Sequence, residues 1–182
     1  MSLSDLASLG TFISGMAVVV TLVFLLLQMR QANLNQKSLM QQGRTQRTLG
    51  LLMLLTNPQL CEIVTRAFKG DPTLSEAEYV AFYGYAAGIF WNYEDSFLQF
   101  EAGTLDATSW ASDVSSLRRF CTNPAYRAVW SVVRDSIGEG YRSFVDSLME
   151  EAKGTRPTTV SATLRQRLAE ERTKLGLAAT EA

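Results

Sequence analysis

The feature that most constrains this chain is an uninterrupted apolar segment near its N-terminus. Residues 6–27 contain no charged residue and no proline, and their few polar side chains are small. A helix needs about 20 predominantly apolar residues to cross the hydrocarbon core of a bilayer. Because the backbone must satisfy its own hydrogen bonds in lipid, a single segment can cross only as a helix. The sequence therefore predicts a transmembrane helix over residues 6–27.

Two other interpretations of this segment are a cleaved signal peptide and a buried helix of a soluble core. A signal peptide has a basic start, a shorter apolar stretch and a small-residue cleavage site. Here residues 1–5 carry Asp5 and no basic side chain, and no A-x-A pattern follows Leu27. Buried helices of soluble proteins seldom stay apolar on every face over such a length. We therefore expect a retained anchor.

The charges beside the segment predict its orientation. Residues 1–5 contain no Lys or Arg, whereas Arg30, Lys37, Arg44 and Arg47 follow the segment. Lys and Arg near the ends of a span remain in the cytoplasm. We expect residues 1–5 to lie outside and the large domain to be cytoplasmic, with the basic residues close enough to contact anionic lipid.

Small residues lie on neighbouring stripes of the predicted anchor. Gly10 and Ser14 are four residues apart, as are Thr11 and Gly15. Small side chains allow two helix backbones to approach closely in lipid. These four residues are a candidate face for pairing with a second copy or with a partner protein, although small residues are also common in membrane spans in general.

The rest of the chain is predicted to be all-α, because no segment alternates with period two for long enough to indicate a strand. Residues 28–48 are rich in Gln and Asn and predict a polar stalk helix that continues the anchor. The apolar run at residues 49–55 is expected to be the buried end of this helix. Residues 49–152 predict a compact bundle of about five helices, and residues 153–182 a linker with a weakly helical or disordered tail.

Capping patterns mark where the helices of the bundle begin and end. The Asn-Pro pairs at residues 57–58 and 123–124 combine a good N-cap with a proline suited to the first helical position. Ser75 and Glu78 have the spacing of a capping box, which opens an aromatic helix ending near Gly103. The aromatic side chains of this helix are expected to fill the core.

Composition excludes several classes of function. The chain contains no histidine, which removes Ser-His-Asp and Cys-His nucleophiles and histidine-ligated metal and haem sites. The net charge of −1 argues against a nucleic-acid binder. Cys61 and Cys121 lack metal-ligand spacing and stand in apolar contexts, so both are expected to be buried, inert thiols. No cofactor is predicted.

The aromatic helix carries the strongest candidate for a site. Its polar and aromatic members are Trp91, Asn92, Glu94, Asp95 and Gln99. They could frame a ligand pocket, and two carboxylates could bind a divalent metal or act as acid and base if further groups converged on them. The structural interpretation is that Asp95 or Glu94 pairs with an arginine across a helix contact, because polar groups among rings must be paired or exposed. The arginines considered are Arg118, Arg119, Arg127 and Arg134.

The chain also resembles a group of uncharacterised bacterial proteins, widespread in proteobacteria, that carry an N-terminal anchor and a helical domain. The segments that carry the resemblance are LLLQMRQ, SLMQQGR, NYEDSFLQFEAGTLD, NPAYRAVW and FVDSL. Together they extend over the chain to about residue 150. The resemblance implies a single-pass protein of the bacterial inner membrane, and it implies no activity.

Three functions are compatible with these patterns. The favoured one is a non-enzymatic, membrane-anchored scaffold or interaction module, such as an accessory subunit of a larger membrane assembly. The alternative is a membrane-tethered small-molecule sensor with a pocket near Trp91, Asp95 and Gln99. The least favoured is a hydrolase that uses the carboxylates with a metal.

Overall fold

The computed structural model describes residues 2–157 and 160–177, and over these residues it contains helices and no strand, which confirms the all-α prediction. The predicted disorder of the last residues, 178–182, falls outside the described part. The chain divides into two units, Met1–Gln46 and Arg47–Ala182. The helices are α1 (Leu3–Leu54), α2 (Pro58–Phe68), α3 (Glu76–Glu101), α4 (Ala107–Thr122), α5 (Pro124–Val133), α6 (Glu139–Glu151) and α7 (Val160–Lys174), with a 3-10 turn at Arg134–Ser136.

The predicted anchor and stalk form one continuous helix, α1, of 52 residues. It is the single helix, within residues 2–157 and 160–177, that is long and apolar enough to cross a membrane. None of its residues is buried in the protein. The apolar side chains of residues 6–27 therefore do not pack in a protein core, which argues against the interpretation of this segment as a buried helix.

The prediction that residues 49–55 are buried is wrong for most of that run. Leu51 and Leu55 pack against the core, whereas the apolar side chains around them are exposed. The reason is geometric, because successive residues of a helix point about 100° apart and one neighbouring surface covers only one side. The exposed residues are Leu49, Leu52, Met53 and Leu54.

Five helices, α2 to α6, pack together, as the sequence predicted, and α3 contacts the other four. Most of the buried apolar side chains of these helices form one hydrophobic cluster. Phe90 of α3 is fully buried, and its ring centroid lies 5.0 Å from that of Trp130. Phe97 of α3 packs on the rings of Trp110 and Phe144, with centroids 5.8 Å away in both cases. A sixth helix after α1, α7, contributes no buried residue.

The predicted caps are present and explain where the helices begin. The Asn57 side chain accepts a hydrogen bond from the backbone N–H of Gln59 at 2.9 Å, and Asn123 accepts one from Ala125 at the same distance. The capping box at α3 is complete, since Ser75 and Glu78 each accept a bond from the other's backbone N–H. At each of these three helix starts, a backbone N–H group that has no partner within the helix is thereby satisfied.

Glycine ends α2 and α3 in the left-handed region. Gly70 follows α2 with φ of 70°, and Gly103 follows α3 with φ of 68°. Residues that carry a side chain rarely adopt this backbone conformation, so a glycine there ends the helix without strain. The turn that follows Gly70 is stabilised by Arg66 of α2, whose guanidinium donates to the carboxylates of Asp71 at 2.8 Å and Glu78 at 2.7 Å.

Candidate functional site

The five candidate residues of α3 do not all face the same neighbours, because Trp91, Asp95 and Gln99 follow one another at spacings of four whereas Glu94 lies about 100° around the helix from Asp95. Trp91 is 47% exposed, and no aromatic ring of the described residues stacks on it. Asn92, Glu94, Asp95 and Gln99 are half-buried. Adjacent positions on a helix are about 100° apart, so Glu94 and Asp95 address different neighbours.

Asp95 is held by two other side chains. Its carboxylate forms an ion pair with Arg47, and Gln99 donates a hydrogen bond to the same oxygen at 2.7 Å. The prediction that Asp95 pairs with an arginine is confirmed. The arginine is one from the end of α1, however, and not one of the four considered from the sequence. Asp95 and Gln99 share a face of α3 because they are four residues apart.

Three of the four arginines considered from the sequence contact residues other than Glu94 and Asp95. Arg118 pairs with Glu151 at 3.2 Å, and Arg134 pairs with Asp146 at 2.5 Å. Arg127 donates to the backbone carbonyl of Met149 at 2.7 Å. These contacts join α4, α5 and the 3-10 turn after α5 to α6 and not to α3.

Glu94 contacts the start of α6. Its Oε1 atom accepts a hydrogen bond from the backbone N–H of Gly138, the N-cap of α6, at 2.9 Å. The N-terminus of a helix carries partial positive charge, so a carboxylate there is stabilising. A Cβ atom on Gly138 would lie 3.3 Å from the same oxygen, so a larger residue there would require the Glu94 carboxylate to move by a few tenths of an ångström.

A partly buried network between α5 and α6 was not predicted from the sequence. Asp146 accepts a hydrogen bond from the indole N–H of Trp130 at 2.8 Å and pairs with Arg134. The guanidinium of Arg134, and then the indole of Trp130, lower the pKa of this carboxyl. Trp130 and Arg134 are four residues apart and share a helix face, which was the available signal. Their common acceptor lies on another helix, so spacing alone could not identify it.

The acidic and cysteine residues do not assemble into a metal site. Within residues 2–157 and 160–177, no three of them come close enough together to hold an ion. The contacts described above occupy Glu94, Asp95 and Asp146 with structural partners. The contacts of these three carboxylates are ion pairs and a helix cap.

The two cysteines differ in their surroundings. Cys121 is fully buried, and burial raises the pKa of its thiol to about 12, so it is an inert core residue as predicted. The same prediction is wrong for Cys61, which is exposed. On α2 the inner face is formed by Ile63, Val64 and Ala67, and Cys61 points away from that face.

The candidate pairing residues of the anchor are all exposed on α1. A Cβ atom built on Gly10 or Gly15 would meet nothing within 4 Å. The Thr11 hydroxyl donates to the carbonyl of Ala7 at 3.0 Å, so its hydrogen is satisfied within the helix. Gly10, Thr11, Ser14 and Gly15 thus present an exposed surface of small residues on α1.

Comparison with known proteins adds no further assignment. No protein-family model, no curated protein and no solved structure matches this chain. The function proposed below rests on the long exposed helix α1 and on the contacts of the bundle.

Proposed function

We propose that this chain is a membrane-anchored interaction module of the bacterial inner membrane. In this proposal residues 1–5 lie outside, residues 6–27 of α1 cross the bilayer, and the helical bundle lies in the cytoplasm. The observation that carries the proposal is that residues 6–27 form an uncharged, apolar stretch of helix with no buried side chain. Exposing that much apolar surface to water is costly, and burial in lipid removes the cost.

The contacts of the bundle favour a role in binding over a role in catalysis. Glu94 caps α6, Asp95 pairs with Arg47, and Asp146 pairs with Arg134, so each carboxylate stabilises a helix contact. A sensor pocket would need Trp91, Asp95 and Gln99 to share one ligand, but Asp95 and Gln99 bond to each other and Trp91 is exposed. The module then works as a scaffold or as an accessory subunit of a larger membrane assembly.

The anchor is tested with a matched pair of double variants. Val19→Arg with Leu22→Arg places two charges near the centre of the apolar segment, at about 2.5–3.5 kcal/mol each. Asn33→Arg with Leu34→Arg places the same two charges in the stalk. We expect the first variant to leave the membrane fraction and the second to remain in it after alkaline carbonate washing. If the native chain is washed off, the anchor is refuted.

The interaction role is tested on the full chain extracted from native membranes in mild detergent. We expect it to purify with a stoichiometric partner, either a second copy or another membrane protein, and the mass of the complex identifies which. A chain that is anchored but purifies as a monomer at every detergent concentration tested would contradict the interaction role while leaving the anchor intact.

A further inference from the structure

Two rows of side chains, each repeating every seven residues, run along α1 within the first unit. In the apolar segment the first row consists of small side chains, and in the stalk it consists of amide side chains. Its members are Ala7, Ser14, Thr21, Gln28, Asn35 and Gln42. The second row is basic: Arg30, Lys37 and Arg44. Each basic residue stands two positions after an amide, which is about 200° around an α-helix. The two rows therefore lie on nearly opposite sides of α1.

The first row is the centre of a wider surface, which we call the neutral face. It consists of the first row and of the residues three and four positions before and after each of its members. The neutral face contains no charged residue, and every one of its side chains is exposed. It takes in about 20 residues, and a stable interface uses about 20–30 residues on each side. The surface is therefore large enough for a stable complex.

A seven-residue repeat has a specific structural meaning. In a straight α-helix a row of every seventh residue drifts by about 20° per repeat, and a left-handed supercoil keeps such a row facing a partner. Basic residues that only orient a span need to be near its end, and they need no seven-residue spacing. The spacing of Arg30, Lys37 and Arg44 instead keeps charge on the outer side of a supercoil while the neutral face stays inward.

The chemistry of the stalk amides favours an identical partner. An amide has both a donor and an acceptor, so Gln28, Asn35 and Gln42 can each bond to the same residue of a second copy. Two copies anchored in one membrane run parallel, which brings equal residues to the same height. An enclosed amide is costly unless paired, so the row also fixes the register. Within one copy Asn35 accepts a bond from Gln31 at 3.1 Å, and both side chains are exposed.

We propose that α1 pairs with α1 of a second copy of this chain in a parallel, in-register coiled coil through the neutral face. Small side chains bring the helices together in the lipid, and the amide row pairs them in the stalk. Gly10, Thr11 and Ser14 belong to the neutral face, and Gly15 lies beside it. The inference rests on the proposed function, because membrane anchorage makes the two copies parallel.

Disulfide cross-linking of the full chain in its membrane tests this pairing. The background variant is Cys61→Ser, since the remaining native thiol, Cys121, is buried. Asn35→Cys is compared with Lys37→Cys after mild oxidation, and dimers are measured on non-reducing gels. A disulfide requires Cα atoms about 4.4–6.8 Å apart, so we expect the Asn35→Cys dimer to form about tenfold faster or more.

A second pair, Gln28→Cys and Arg30→Cys, keeps Asn35 in place and is expected to give the same contrast. The pairing would be overturned if the two cysteine variants of each pair formed dimers at equal rates, or if the variants of the basic row formed them faster. It would also be overturned if Asn35→Cys formed a disulfide with a different protein. If the chain stays in the membrane and the amide row does not cross-link, the pairing fails while the anchor stands. If the chain is soluble, both proposals fail.

Discussion

Arg47 of α1 forms an ion pair with Asp95 in α3, and Gln99 donates to the same carboxylate oxygen at 2.7 Å. One turn further along α1, Leu51 packs against Gly88 of α3, where an added Cβ would lie 3.4 Å from a Leu51 methyl group. The last turns of α1 are therefore fixed to α3 by one polar and one apolar contact. Asp95 and Gln99, which form the polar part of this contact with Arg47, belong to the cluster that the sequence offered as a candidate ligand site.

Breaking this ion pair should have a small effect on stability. The side chains of Arg47 and Asp95 are 45% and 44% exposed, and exposed pairs contribute about 0–1 kcal/mol. We expect Asp95→Asn and Arg47→Gln each to lower the free energy of unfolding by no more than about 1 kcal/mol. The double variant should cost less than the sum of the two. The measurement is chemical unfolding in detergent, and additive effects would show that the pair is not coupled.

Replacing Trp91 and replacing Trp130 by alanine compares the loss of an exposed tryptophan with the loss of a buried one. Trp91→Ala should change the free energy of unfolding by no more than about 0.5 kcal/mol, because its ring lies at the surface. Trp130→Ala should cost about 3–5 kcal/mol, because its ring is buried against Phe90 and its indole bonds to Asp146. Circular dichroism during unfolding measures both. A large loss for Trp91→Ala would mean that its ring is enclosed.

Much of this fold could be predicted because its signals are local. Asn57 and Asn123 cap the helices that follow them, and Gly70 and Gly103 end the helices before them, as their neighbours in sequence indicate. The length and apolarity of residues 6–27 likewise depend on that segment alone. Features set by neighbouring residues leave their signal in a short stretch of sequence, so they can be predicted without knowing the tertiary contacts.

The candidate site could not be predicted, because it depends on which helices become neighbours. Asp95 and Arg47 are far apart in sequence, and several arginines were equally available until α1 packed on α3. The prediction that Cys61 is buried was wrong for a related reason, since apolar neighbours in the sequence do not show which side of α2 faces the core. Partners separated by dozens of residues leave no periodic signal.

Tyr141 has a buried hydroxyl without a protein hydrogen-bond partner, although its ring is enclosed by Phe97, Trp130 and Phe144. A buried polar group left unpaired costs about 1–3 kcal/mol, so Tyr141→Phe should raise the free energy of unfolding. The control is Tyr126→Phe, which removes the hydroxyl of another buried tyrosine, one whose phenol interacts with that of Tyr85, and it should not raise the free energy of unfolding. A destabilised Tyr141→Phe variant would indicate a partner such as an ordered water.

The bundle should lose stability in acid and be insensitive to pH near neutrality. Hydrogen bonds from Arg134 and Trp130 lower the pKa of Asp146, and bonds from Ser109 lower the pKa of Asp106. A carboxyl with a lowered pKa adds stability above its unfolded pKa of about 4, and that stability is lost as the pH falls through the folded value.

Melting temperature against pH measures this dependence. We expect Tm to be nearly constant from pH 8 to pH 6, because the chain has no histidine, and to fall below about pH 4. Asp146→Asn should melt at a lower temperature at pH 7 and show a shallower fall in acid. A steep loss of Tm between pH 7 and pH 5 would contradict this account.

The most direct test of the central claim uses Cys61 as a native reporter of sidedness. Cys61 is exposed on α2, in the bundle, and Cys121 is buried. A membrane-impermeant maleimide should leave the protein in intact spheroplasts unlabelled and should label Cys61 in inverted membrane vesicles. Ser2→Cys in the Cys61→Ser background should show the reverse. Labelling of Cys61 in intact spheroplasts, or recovery of the chain without residues 1–27, would contradict an anchored protein with a cytoplasmic bundle.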